Sequence, residues 1–418
     1  MSQPADRPLA RRLRTGDAVV IGLGAMIGAG VFAAVGPAAE AAGSWLLLGL
    51  ALAAVVAYAN ATSSAQLAAK HPTSGGTYVF ASRELHPTAG YLAGWGFVVG
   101  KTASLAAMAL TFGSYLWPEA ARPVAIVAVV ALTAVTARGI TRTARLTRVI
   151  VTLVLASLAV VVAASLLGGQ AQVAILADPA APAATPYGVL QSAGLLFFAF
   201  AGYARLATLG EEVVDPTRTI PRAIPIALGL TLVVYALVAT SALLAAGPVA
   251  LAEAPAPLAA AVRAGELAVA APVVQVGATV ASLGVLLSLL VGVSRTVLAM
   301  ARDGHFPRGL ARVNRQAVPA VAEVTVAVVV IAIVALADLR EAIGFSSLAV
   351  LVYYALTNAA ALRLARHERR WPRWLAWLGL VGCLVLAATL PPVAVAGGVG
   401  VLALGLAVHG LRSALARR

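Results

Sequence analysis

Hydrophobic positions in this chain fall in long unbroken blocks, with polar residues confined to the short gaps between them. About 20 apolar residues cross a hydrocarbon core. On that measure the blocks predict an all-α integral membrane protein of twelve transmembrane helices. They run at about 17–40, 44–67, 89–116, 123–138, 146–168, 187–210, 222–246, 271–301, 320–337, 342–363, 373–390 and 392–411. The longer blocks predict tilted or interrupted helices. The outer gaps near 169–186 and 247–270 are Ala/Pro-rich loops. The moderately polar stretch His71 to Pro87, HPTSGGTYVFASRELHP, predicts a segment along the inner membrane surface.

Two blocks carry glycine where a helix should be continuous. Val19 to Phe32 reads VVIGLGAMIGAGVF and holds Gly22, Gly24, Gly28 and Gly30. Each interior glycine costs about 1 kcal/mol of helix propensity. One reading is close helix packing through small residues. The other is a helix break at Gly28-Ala29-Gly30, which lipid tolerates only where protein or a cavity surrounds the freed backbone. Leu195 to Gly210, LLFFAFAGYARLATLG, is interrupted at Ala201-Gly202. Interruptions at matching places in two halves point to a transporter's binding site. Here they fall in spans 1 and 6, the spacing of a five-plus-five inverted repeat. The predicted organisation is a cytoplasmic segment 1–16, a first repeat 17–168, a second repeat 187–363, a further helix pair 373–411 and a cytoplasmic end 412–418.

Composition agrees: 11% of the 418 residues are charged, against roughly 25% in soluble domains. A net charge of +14 would suit nucleic acid, but its placement argues against such a partner. The predicted inner ends hold Arg7, Arg11, Arg12, Arg14, Arg138, Arg142, Arg145, Arg148, Arg302, Arg308, Arg312, Arg315, Arg363, Arg366, Arg369, Arg370 and Arg373; the outer loops hold Arg122, Arg263 and Arg340. This is the positive-inside asymmetry, and it predicts a multi-pass protein of the cytoplasmic membrane with both termini cytoplasmic. The N-terminus has no signal-peptide pattern, and the single Cys383 excludes an intramolecular disulfide. There is no HExxH, GxSxG or phosphate loop, and the five histidines are scattered. No enzyme, catalytic residue, metal or cofactor is expected.

The segments GAMIGAGVF (Gly24 to Phe32), SGGTYVFASRELHPTAGYLAGW (Ser74 to Trp95), FFAFAGYARLATLGEEVVDPTRTIPRAI (Phe197 to Ile224) and SRTVLAMARDGHFP (Ser294 to Pro307) stand in the order seen in one transporter group. The chain resembles the amino acid–polyamine–organocation (APC) superfamily. Within it, the chain is most similar to bacterial amino acid permeases akin to cationic amino acid transporters. The resemblance implies the inverted-repeat fold with two extra C-terminal helices, alternating access and α-amino acid substrates. The residues agree with that substrate class. A broken span 1 offers N–H groups at Ile27, Gly28, Ala29, Gly30 and Val31, where a half-helix N-terminus suits a carboxylate. A broken span 6 offers carbonyls at Phe198–Ala201 for an ammonium group, and Gly202 allows close approach. Phe198 and Phe200 read either as an aromatic gate or as packing.

Three charged residues need an account. Lys101 lies about 11 residues past Gly90, roughly mid-bilayer at 1.5 Å per residue. It reads either as a proton carrier, since a buried lysine can lose its proton and arginine cannot, or as a snorkelling side chain. Proton-coupled relatives use a span-5 lysine, by the same resemblance; the matching position here is Val154, which puts that standard mechanism in doubt. Arg205 follows the span-6 break, where a fixed cation disfavours a cationic substrate side chain or else pairs with Glu211 or backbone carbonyls. Glu211 and Glu212 are expected in gate salt bridges rather than on a metal. Span 8 offers Ser282, Ser288 and Ser294 without a close hydroxyl pair, so sodium independence is expected. The functional expectation is therefore a secondary amino acid transporter, working by proton symport or exchange. The alternatives are a carrier of polyamines or other amines, and a non-transporting amino acid sensor.

Overall fold

The computed structural model describes residues 13–72, 75–139, 144–177, 185–203, 206, 213–316 and 318–416. Helices make up nearly all of them. In chain order they are α1 (Thr15–Met26), α2 (Gly30–Ala42), α3 (Leu46–Lys70), α4 (Thr77–Glu84), α5 (Pro87–Leu116), α6 (Ala121–Ala137), α7 (Ala144–Leu167) and α8 (Pro186–Phe200). After these come α9 (Pro216–Glu253), α10 (Pro257–Arg263), α11 (Ala271–Arg302), α12 (Ala320–Leu336), α13 (Leu339–Leu362), α14 (Arg373–Ala388) and α15 (Pro392–Ala416). Among the described residues, eight helical stretches are long and apolar enough to cross a membrane, and α1, α12 and α14 are shorter apolar helices. The chain is a multi-pass helical membrane protein.

Local chemistry sets several helix starts. Thr185 caps α8 by accepting from the Gly188 N–H, with Pro186 in the first turn, where a missing N–H costs nothing. Asp338 and Glu341 form a reciprocal capping box on α13. Span 7 was expected from 222, yet α9 begins at Pro216 and runs straight through Pro221 and Pro225. Pro216 occupies a first-turn position, and the later prolines are carried by a helix packed along α1 and α3. Near its far end α9 kinks at Gly247, whose φ of 74° suits glycine. The residue before α9, Asp215, takes the left-handed conformation (φ 47°). Beside it, the Val214 N–H donates to the Leu13 carbonyl at 2.9 Å, tying the N-terminal segment to the chain that enters α9.

The polar stretch before span 3 holds a short helix packed on the bundle. Gly75 and Gly76, with φ of 120° and 54°, turn the chain into α4, which packs against α5 and α13 with Phe80 and Ala81 buried. Thr77 accepts or donates a 2.7 Å bond with Thr357, and its N–H donates to the Tyr353 hydroxyl. Glu84 closes the other end: it takes Lys70 at 2.8 Å and His71 at 2.6 Å, and Lys70 also reaches Glu368 at 3.0 Å. Deeper in the bundle, Asn60, Asn358 and Cys383 form a fully buried polar node joining α3, α13 and α14. Asn358 donates to Asn60 at 2.6 Å, and Asn60 exchanges hydrogen bonds with the Cys383 sulfur.

Candidate functional site at two helix breaks

Span 1 is broken where the glycines predict. The Ile27 N–H closes the last bond of α1 on the Leu23 carbonyl, and the next recorded bond runs from Ala33 to Ala29 at the head of α2. The first-turn N–H groups of α2 therefore lack intrahelical acceptors. Span 6 is interrupted in step. α8 ends at Phe200 and tightens into a 3-10 turn over Ala201–Tyr203.

The two breaks meet. A methyl group on Gly30 would lie 2.8 Å from Ala199 Cα, and one on Gly202 would run into the Ala25 carbonyl and the Met26 nitrogen. Gly28 abuts Val285 of α11, Gly22 abuts Leu206, and Gly24 abuts Val151 of α7. Both glycine readings are thus present in one structure: the helices break here, and they approach too closely for any side chain. Ile27, Ala29, Val31, Phe200 and Ala201 are all buried.

Tyrosine hydroxyls fill the carbonyl side. Tyr235 of α9 reaches the Met26 carbonyl at 2.5 Å and the Ala199 carbonyl at 3.0 Å, so one hydroxyl spans both breaks. Tyr354 of α13 donates to the Ala201 carbonyl at 3.3 Å and stacks on Tyr203 with ring centroids 4.9 Å apart. Phe200 meets Tyr235 edge-on at 5.2 Å, whereas Phe198 is only half-buried. Of the two expected gate phenylalanines, Phe200 is seated in this aromatic cluster. The sequence reading missed Tyr235 and Tyr203. The available signal was weak: a tyrosine in an apolar helix must find a partner for its hydroxyl, but the pattern does not say which.

At the start of α13, Arg340 pairs with Glu40 of α2 and donates to Gln191 of α8 at 3.2 Å. Gln191 in turn donates to the Thr389 carbonyl. These bonds tie one half of each broken span, α2 and α8, to α13. A cavity of about 380 Å³, lined by Pro118, Ala256 and Arg263 among others, lies away from the breaks.

The expected charged residues divide. Lys101 is 8% exposed in α5, and no carboxylate lies within 4 Å of it among the described residues. It stands one turn from Ser104, which bonds Ser346 of α13 at 2.6 Å. Val154 is fully buried in α7. Arg205, Glu211 and Glu212 lie outside the described residues. In α11, Ser288 and Ser294 bond carbonyls of their own helix, while the Ser282 hydroxyl is buried without a partner.

A membrane-embedded helical bundle with two broken helices crossing at its centre has the architecture of a solute transporter. Sequence comparison makes the class specific. Residues 13–403 match the family model described as amino acid permease, and the chain belongs to that family within the APC superfamily. It is a transport protein and not an enzyme. A Mycobacterium tuberculosis protein described as an uncharacterized transporter is 60% identical, over 99% of this chain and 94% of its own. The methylthioribose transporter of Bacillus subtilis is 26% identical, over 75% of this chain and 72% of its own. Human cationic amino acid transporter 4 is 28% identical, over 87% of this chain and 61% of its own. The chain is accordingly a transporter of amino acids or related compounds.

Proposed function

We propose that this protein moves an α-amino acid across the cytoplasmic membrane by alternating access, with the substrate held between the two helix breaks. The observation that carries the reading is the Tyr235 hydroxyl shared by the Met26 and Ala199 carbonyls. There one side chain meets backbone carbonyls from both broken helices. The carboxylate binds the free N–H groups at Gly28–Val31, where the α2 dipole favours an anion. The ammonium group takes the span-6 carbonyls now held by Tyr235 and Tyr354. Phe198 and Phe200 close over the side chain. Arg205 sets the local charge, Glu211 serves the inner gate, and Lys101 is the coupling candidate.

The fold behind this reading is twelve transmembrane helices in a five-plus-five inverted repeat plus a C-terminal pair, with both termini cytoplasmic. Reporter fusions at the C-terminal end check the sidedness. Transport is sodium-independent, by proton symport or exchange, because two of the three span-8 serines are committed to their own helix. The relative named for methylthioribose favours a second reading, in which the solute is a small polar metabolite other than an amino acid.

Uptake into proteoliposomes tests the proposal. Radiolabelled amino acids should accumulate when driven by an inward proton gradient or by preloaded amino acid, with or without sodium. Binding of amino acids without any uptake would assign the protein to the sensor class instead. Uptake of methylthioribose alone would favour the second reading.

A further inference from the structure

Glu323 belongs to none of the groups assigned above. In the run AVAEVTVAVVV it reads as an ordinary first-turn acid. The structure turns it inward. α12 packs against α5, α6 and α11, and the Glu323 side chain between them is 1% exposed. The hydroxyls of Thr136 on α6 and Ser294 on α11 stand at its carboxyl group. Its Oε2 has no hydrogen-bond partner, and no cationic nitrogen lies within 4 Å of it among the described residues.

The charges on the surrounding elements face elsewhere. Arg295 of α11 acts on Glu323 electrostatically, but its side chain is exposed. Arg302 on α11, Arg138 at the end of α6 and Arg308 in the following short helix are exposed as well. Lys101, on α5, is buried without approaching the carboxyl within 4 Å.

We propose that Glu323 is a proton-binding site in the wall formed by α6, α11 and α12, and that its occupancy sets how α12 seats on its neighbours. The argument is an account of hydrogens. Thr136 gives its single hydroxyl hydrogen to the Leu132 and Thr133 carbonyls, and Ser294 gives its own to the Val291 carbonyl. Each hydroxyl has a single hydrogen, so it turns that hydrogen to Glu323 only by releasing a carbonyl of its own helix. A carboxylate therefore gains a donor only at the expense of those helix bonds, whereas a carboxylic acid needs only an acceptor, and either hydroxyl can accept while keeping its own bond. The packed wall therefore fits the neutral form. Ionisation releases one proton to water. It then requires either that both hydroxyls leave their own helices, or that the first turn of α12 opens to the aqueous side. An unpaired buried carboxylate is costly enough to drive one of these changes. Glu323 and the two hydroxyls thus form a two-state element biased by the proton.

Infrared difference spectroscopy across a pH step, on the whole protein in lipid, tests this. The wild type should show a protonated-carboxyl stretch at neutral pH that vanishes in Glu323→Gln. Should that variant fail to fold, Thr136→Val and Ser294→Ala should each shift the same band, because each removes an oxygen that the O–H uses. Glu323→Gln, fixed in a neutral shape, should also lose the part of the pH dependence of thermal unfolding that the wild type shows above neutrality. A wild type without such a band, or a Glu323→Gln protein with unchanged pH dependence, would overturn the proposal. The measurement uses no substrate. If no amino acid is transported, the transport reading fails and this result stands.

Discussion

The contact between Gly28 and Val285 gives a sharp test of whether the break in span 1 is fixed by packing. A methyl group added at Gly28 would lie closer than 3.0 Å to one Val285 methyl, while Val285 Cβ itself would be 3.8 Å away. Carbon atoms rest at about 3.5–4.0 Å, so the clash is with that one methyl and nothing else. Overpacking of this kind costs about 1–3 kcal/mol. Gly28→Ala should therefore destabilise by that amount, and it should weaken substrate affinity about 5- to 150-fold if the strain falls wholly on the binding-competent state. Val285→Ala deletes the offending methyl and leaves an ordinary contact. The double variant Gly28→Ala/Val285→Ala should then cost no more than Val285→Ala alone, a favourable coupling of about 1–3 kcal/mol. Gly202→Ala is the control. Its added methyl meets the Ala25 carbonyl and the Met26 nitrogen at 2.7 Å, all backbone, so no side-chain truncation should rescue it. Unfolding in mixed detergent micelles gives the stability arm and isothermal calorimetry the binding arm. A neutral Gly28→Ala, or a double variant that merely adds the two single costs, would refute the packing argument.

Three further outcomes follow from the same geometry. Tyr235→Phe removes the hydroxyl shared by Met26 and Ala199 and leaves two buried carbonyls short of a donor; a loss of about 1–3 kcal/mol is expected in the same unfolding assay. Lys101→Ala should abolish the stimulation of uptake by a proton gradient while keeping substrate binding, and Lys101→Arg should fail too, because a fixed charge cannot cycle; full function with arginine would make Lys101 a structural cation. Burial raises the Glu84 carboxyl, but hydrogen bonds from Lys70 and His71 outweigh it and hold the group below its ordinary value. Its contribution is therefore present above the unfolded-state value of about 4.3 and is lost as the pH falls through the lowered folded value. Hydrogen exchange in Thr77–Glu84, corrected for intrinsic rates, should rise on acidification in the wild type and lose that pH dependence in Glu84→Gln.

Much of this was legible in the sequence, for identifiable reasons. Long apolar blocks report burial in lipid directly, and glycine clusters at Gly28–Gly30 and Ala201-Gly202 report positions where backbone must be free or crowded. The sequence could not separate these two, and the structure has both at once. The start of α9 was hidden because proline reads as a breaker, whereas Pro216 sits in a first turn that tolerates it. Tyr235 and Glu323 were hidden for a different reason. Each is one polar residue in an apolar helix, and its meaning depends on which neighbour its side chain faces. That is a property of the crossing of α9 over the breaks and of the seating of α12, and neither is encoded in local pattern. The Ser74–Trp95 motif became intelligible only once Gly75 and Gly76 were seen to turn the chain into α4.

The buried node of Asn60, Asn358 and Cys383 has a practical consequence for labelling chemistry. The only thiol in the chain is fully enclosed and held by an asparagine side chain, so reagents added from water meet no reactive sulfur on the native surface. The unmodified protein already serves as a cysteine-free background. Single cysteines placed at the Arg340 contact or at the Glu84 contact can carry fluorophores or spin labels with no prior substitution. Distances between the two contacts can then be followed in one otherwise native polypeptide.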